Sequence, residues 1–153
     1  MDRVAIALGS NLGDRRAHLD FAVSRLADSL RNLRVSNFRE TEPVDVPDRQ
    51  AAFLNAACVG DTTMSAREIL SVLHDIERER GRERPFRNAA RTLDLDLILL
   101  GNVVLNEEGL IVPHPRFRER RFVLEPLAEI APDLVDPVTG YTIRALLSEA
   151  VGM

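Results

Sequence analysis

The chain has 153 residues, 45% hydrophobic and 29% charged, with a formal net charge of −4. That size and balance suit a single soluble globular domain over residues 1–153, large enough to bury a real core. They argue against a general affinity for nucleic acid or for an anionic membrane. No apolar stretch approaches the roughly 20 residues that span a bilayer. Met1-Asp2-Arg3-Val4 carries an acid where a secretory leader is basic, and the single cysteine, Cys58, allows no intrachain disulfide. A cytoplasmic monomer is the expectation.

Val4-Ala5-Ile6-Ala7-Leu8, closed by Gly9-Ser10-Asn11, reads as a buried strand and a turn. Asp14 is placed to cap a helix over residues 15–30, whose Leu19, Ala22, Val23, Leu26 and Leu30 keep helical spacing. Residues 33–40 and 53–59 read as two strands separated by a polar, proline-bearing connection. Ser65 and Glu68 form a capping-box pair, followed by Ile69, Leu70, Leu73 and Ile76 at helical spacing and by Gly81 as a stop. A second long connection, residues 81–91, leads to a strand over residues 92–100. Helices are expected over 122–130 and 142–150, around a turn at 132–140. The order β-α-β, β-α-β predicts an α/β fold, a ferredoxin-like α-β-α sandwich with an antiparallel sheet and flanking helices. Connections as long as 41–52 and 81–91 are usually functional in so small a domain, and both are expected to close over bound substrates.

All 20 basic residues are arginine. A P-loop lysine, a kinase-type strand lysine and a Schiff-base lysine are therefore excluded. Ten arginines lie between residues 78 and 121, against seven acids in the same window. Any phosphate chemistry must rest on arginine and metal.

Leu93-Asp94-Leu95-Asp96-Leu97 is the sharpest local signal. On a strand Asp94 and Asp96 share one face, while Leu93, Leu95, Leu97 and Leu99 share the other. Two carboxylates about 7 Å apart on one face repel unless a cation lies between them. Oxygen-only ligation favours magnesium over zinc. The alternative is an ordinary wet strand face. Arg91 beside the pair, with Arg78, Arg80, Arg82, Arg84 and Arg87 before it, shifts the balance towards a triphosphate site.

Leu70, His74 and Glu77 form a stripe along the second helix. There Leu70 and His74 could wall a nucleotide base and Glu77 could reach the metal region, or the stripe could be a plain boundary between core and surface. Phe53 and Asn55 point to one face of their strand, with Leu54, Ala56 and Cys58 on the other. A ring beside an amide suits a flat heterocycle, and a buried Asn that caps a loop is the alternative. Phe122 could supply an opposing ring, or be core.

Gly9-Ser10-Asn11-Leu12, Phe53-Leu54-Asn55-Ala56 and Arg91-Thr92-Leu93-Asp94-Leu95-Asp96, with Val112-Pro113-His114-Pro115-Arg116 and Arg120-Arg121-Phe122 downstream, together resemble the 6-hydroxymethyl-7,8-dihydropterin pyrophosphokinase family of folate biosynthesis. The likeness runs from about residue 4 to residue 136. It implies an enzyme that transfers diphosphate from ATP to the pterin alcohol and releases AMP, with two magnesium ions held by Asp94 and Asp96. It implies that the pterin lies between Phe53 and Phe122, with Asn55, Thr41 and Val44 at its edge. It places ATP against Leu70, His74, Glu77, Ile98, Ile111 and His114, with Arg82, Arg84, Arg91, Arg116 and Arg120 around the phosphates. Arg82 and Arg91 join the two aspartates as catalytic groups. The chain departs from the family at Arg87-Asn88-Ala89-Ala90, where a tryptophan and a proline are often found. A ferredoxin-like regulatory domain and a nucleic-acid module that stacks bases on exposed aromatics are the rival readings.

Overall fold

The computed structural model describes residues 1–41, 52–81 and 92–151. Its first strand, β1 (Asp2–Ser10), is buried on both faces from Val4 onward, which explains the unbroken run of aliphatic and small residues there. Val4, Ile6 and Leu8 point into one core and Ala5 and Ala7 into a second. Helix α1 (Arg15–Ser29) starts where Asp14 accepts a hydrogen bond from the Ala17 N–H at 3.1 Å, so the expected cap is in place. The strand expected over residues 33–40 is instead two, β2 (Arg31–Val35) and β3 (Arg39–Thr41). Ser36 divides them: its hydroxyl accepts from the Ala57 N–H at 2.9 Å and so takes a bond that a continuous ladder would fill.

Strand β4 (Phe53–Thr62) runs three residues past the expected end. Helix α2 (Ala66–Gly81) opens with the reciprocal Ser65–Glu68 bonds of a capping box, at 3.0 and 3.2 Å. Strand β5 (Asp94–Leu100) follows the second long connection. A small hairpin, β6 (Leu105–Glu107) and β7 (Leu110–Val112), comes next, then a single 3-10 turn at Phe117–Glu119. Helices α3 (Arg121–Ile130) and α4 (Ile143–Val151) complete the order.

The main sheet runs β2-β4-β1-β5, with β3 also on β4, and all of its pairings are antiparallel. Leu19, Ala22 and Leu26 of α1 and Ile69, Leu73 and Ile76 of α2 cover one face. Val123, Leu124 and Leu127 of α3 and Ile143 and Leu146 of α4 cover the other. This is the expected sandwich. One expectation about β5 fails in its second half. Ala5 pairs with Leu99 and Ile6 with Leu97, so Ile98 is an extra residue in a bulge. The bulge turns Leu99 to the α3–α4 core beside Ile98, whereas Leu93, Leu95 and Leu97 keep to the α1–α2 core.

Cys58 lies in that α1–α2 core, and burial pushes its thiol pKa up to about 12. The thiolate is the reactive form, so native protein at pH 8 is expected to resist a thiol-specific dye that labels the unfolded chain at once. Prompt labelling of the native state would show that the core opens locally.

Candidate active site

The register of the sheet builds the site. Asp94 pairs with Gly9, and Gly9 pairs on its other side with Asn55, which in turn pairs with Arg39. Gly9 and Asn55 belong to the same sheet face as Ala7 and Ala57, the α3–α4 side. Asp96 lies opposite Ala7 on that face. Asp94, bare Gly9 and Asn55 therefore stand in a row across β5, β1 and β4, about 10 Å from end to end. Gly9 keeps the row open. A Cβ there would sit 3.2 Å from Asn55 Oδ1 and 4.0 Å from the Phe53 ring.

Asn55 is buried, and its Nδ2 donates to Thr41 Oγ1 at 2.6 Å, which fixes the amide and leaves Oδ1 turned to the Gly9 side. Thr41 reaches it because β3 pairs with β4 in register, Thr41 against Phe53. Phe53 is half-buried on the same face. Phe122 opens α3 and is 42% exposed, with the Arg120 guanidinium 5.7 Å from its ring centre. Helix α3 packs on β4, so the structure brings Phe53, Asn55, Thr41 and Phe122 to one side of the sheet. Val44 lies outside the described residues.

At the other end of the row, β5 is the sheet's edge, and a cavity of about 320 Å³ runs along it. Leu70, His74 and Glu77 of α2 form one wall, and Ile111 and His114 another, with Asp96 at the rim. The α2 stripe thus faces the cavity. Glu77 also ties α2 to the edge strand by accepting from the Leu95 N–H at 2.8 Å. The Ile98 side chain is buried in the α3–α4 core, and its carbonyl accepts from the N–H of His114, a residue of the cavity wall, at 2.9 Å. The hairpin that supplies Gly109 to Ile111 is additional to the expected elements. Asn106-Glu107-Glu108-Gly109, with Gly109 at φ +77°, was the available signal for a turn.

His114 joins the two halves electrostatically. Its Nδ1 accepts from the Arg116 N–H at 3.1 Å. Its pKa lies below the usual imidazole value, chiefly through burial; the Asp96 carboxylate opposes this shift, and Arg120 and Arg116 reinforce it. Asp96, His114, Arg116 and Arg120 therefore share one neighbourhood. Arg82, Arg84 and Arg91, together with most of the two long connections, lie outside the described residues. Among the described residues no three His, Cys, Asp or Glu side chains form a metal cage, and no helix is long and apolar enough to cross a membrane.

Residues 5–132 match the family described as 7,8-dihydro-6-hydroxymethylpterin-pyrophosphokinase. This chain belongs to that family. It is 47% identical over 133 residues to the 2-amino-4-hydroxy-6-hydroxymethyldihydropteridine pyrophosphokinase of Bacillus subtilis, covering 85% of this chain and 79% of that one. The pyrophosphokinase of the same name from Methylorubrum extorquens is 41% identical over 151 residues, which cover 97% and 94% of the two chains. The folic acid synthesis protein fol1 of Pneumocystis carinii is 39% identical over 151 residues, 98% of this chain, but the match spans only a fifth (20%) of that longer protein. The crystal structure of Plasmodium falciparum HPPK-DHPS A437G superposes with a TM-score of 0.77 at 14% identity, over 99% of this chain and 46% of that one. That likeness supports the fold.

Proposed function

We propose that this pyrophosphokinase-family chain transfers the terminal diphosphate of ATP to the hydroxyl of 6-hydroxymethyl-7,8-dihydropterin, a step of folate biosynthesis. The row from Asp94 across Gly9 to Asn55, with the cavity beside its carboxylate end, carries the reading. A planar heterocycle held by Phe53, Phe122, Thr41 and Asn55 at one end would present its hydroxymethyl group along the bare Gly9. A nucleotide held against Leu70, His74 and Ile111 would extend its phosphates towards Asp96, Arg116 and Arg120. The pterin oxygen then attacks the β-phosphorus. A new oxygen–phosphorus bond forms, the bond from that phosphorus to the α–β bridging oxygen breaks, the hydroxyl proton is released, and AMP departs.

Asp94 and Asp96 fit magnesium. They offer only carboxylate oxygens, and a hard cation that keeps waters and substrate phosphate oxygens needs just one or two such ligands. Asp94 and Asp96 would hold two such ions, which would supply charge neutralisation for the phosphates of a bound nucleotide. The chain's own arginines do the rest. Arg116 and Arg120 offset charge on the phosphates, and the same reading assigns Arg82, Arg84 and Arg91 to the transferring group. A cytoplasmic monomer, with residues 1–153 as one transfer domain, belongs to this reading; the cytoplasmic part accords with the single, buried cysteine.

Incubation with magnesium, ATP and the reduced hydroxymethylpterin is expected to yield AMP and pterin diphosphate in equal amounts. Production of ADP, or ATP consumption indifferent to the pterin, would overturn the proposal. Gly9→Ala is expected to push the Asn55 amide aside and to weaken pterin binding about tenfold, with ATP binding nearly unchanged. Pterin titrations of the variant check this, and parent-like affinity would mean that the Gly9 gap has no part in holding the pterin.

A further inference from the structure

Residues 114–122 carry His114, Arg116, Arg120 and Phe122, which face both substrates in the function proposed above. Their backbone includes little regular structure beyond the 3-10 turn and the start of α3. Arg116 and Arg120 are the two residues that flank the turn. Phe117 anchors the turn from within, fully buried in the α3–α4 core, and the Arg120 N–H donates to the Phe117 carbonyl at 3.1 Å. The Arg120 carbonyl accepts from the Val123 and Leu124 N–H groups at 2.9 and 3.0 Å, which joins that end of the turn to α3, and the buried ring seats the turn without itself setting the direction of its outer side chains.

Arg118 lies between them and, at three residues per turn, points away from both. Its Nε donates to Asp136 Oδ2 at 2.5 Å and its Nη2 to Asp136 Oδ1 at 3.0 Å. Such a two-point fork sets direction as well as distance. Asp136 is 0% exposed, and its oxygens also accept from the Val138 N–H at 3.0 Å and the Thr139 hydroxyl at 2.8 Å. The backbone holds the carboxylate still. The Asp136 N–H donates to the Tyr141 carbonyl at 2.9 Å, and the Gly140 N–H to the Asp136 carbonyl at 2.8 Å, with Gly140 at φ +78°. A fully buried carboxylate with every donor in place is costly to desolvate, yet it reaches from the turn before α4 to grip this one arginine.

We infer that Asp136 and Arg118 are positioning residues for the transfer: their fork fixes the rotation of the 3-10 turn and so holds Arg116 and Arg120 beside Asp96 and His114. The inference rests on the function proposed above for its readout in turnover, and a binding measurement separates the two. Arg118→Lys keeps the charge and removes the fork, and Asp136→Asn keeps the size and removes the charge. Each is expected to lower kcat by about tenfold and to weaken binding of a non-hydrolysable ATP analogue with magnesium by less than that. KM for the pterin is expected to hold. The double variant should be no worse than either single one, because both act through one pair.

A clamp that serves stability alone would lower the melting temperature and leave kcat and KM of the folded protein within twofold of the parent. That result overturns the inference. Should Asp136→Asn fail to fold, Arg118→Lys decides the matter, since Arg118 is partly exposed and its replacement keeps the charge. An inactive parent would count against the proposed function. Analogue binding unchanged in Arg118→Lys would then count against the positioning role.

Discussion

Asp96→Ala is expected to lower turnover by at least about 10²–10³-fold at saturating magnesium, the scale on which a preorganised electrostatic group acts, while the melting temperature barely moves. The asymmetry follows from where β5 places its side chains. Asp96 is exposed on the face away from Leu95 and Leu97, which are buried against α1 and α2. Truncating an exposed carboxylate leaves that core intact and falls among the surface changes worth about 0.5 kcal/mol or less. Asp94→Ala is expected to match it in turnover, because Asp94 lies on the same strand face two residues away, opposite Gly9. Steady-state rates with a magnesium titration provide the check. Near-parental activity in either variant would remove the carboxylates from the chemistry.

Asn55→Ala is expected to weaken pterin binding about 30-fold, equivalent to about 2 kcal/mol for a buried hydrogen-bonding group left without its partner. ATP binding should change by less than about threefold in the same protein. The amide is buried, committed through Nδ2 to Thr41, and separated from the cavity at the sheet edge by the width of β1 and β5. Phe53→Ala is expected to follow the same pattern, since its ring lies on the same face. Calorimetric titration of each ligand alone distinguishes the two effects. Equal losses for pterin and ATP would mean that the row is one shared pocket with no division between its ends.

Alternation and helical spacing made most of this legible from the residues alone. Asp94 and Asp96 on one face, Phe53 with Asn55 on one face, and Leu70, His74 and Glu77 on one stripe are consequences of strand and helix geometry, and the structure places them so. What local pattern cannot give is register. Nothing in the Gly9 segment or the Asn55 segment announces that the two residues pair, and the whole row depends on that pairing. The Ile98 bulge was hidden for the same reason, because an unbroken apolar run reads alike with or without an extra residue. The break at Ser36 depends on a hydroxyl meeting the backbone of a strand 21 residues away. Asp136 gave no local sign at all, because its partner Arg118 lies 18 residues earlier and the tail reads as an ordinary turn.

A diphosphate, and not a single phosphate, is expected to move between the two ends of the row. ATP carrying distinguishable labels on its α-, β- and γ-phosphorus, turned over with magnesium and the reduced hydroxymethylpterin, tests it most directly. The β and γ labels are expected together on the pterin, in equal amounts, with the α label wholly in AMP. A γ label alone on the pterin, with α and β left in ADP, would mean that a single phosphate moves and that the transfer proposed for this chain is wrong.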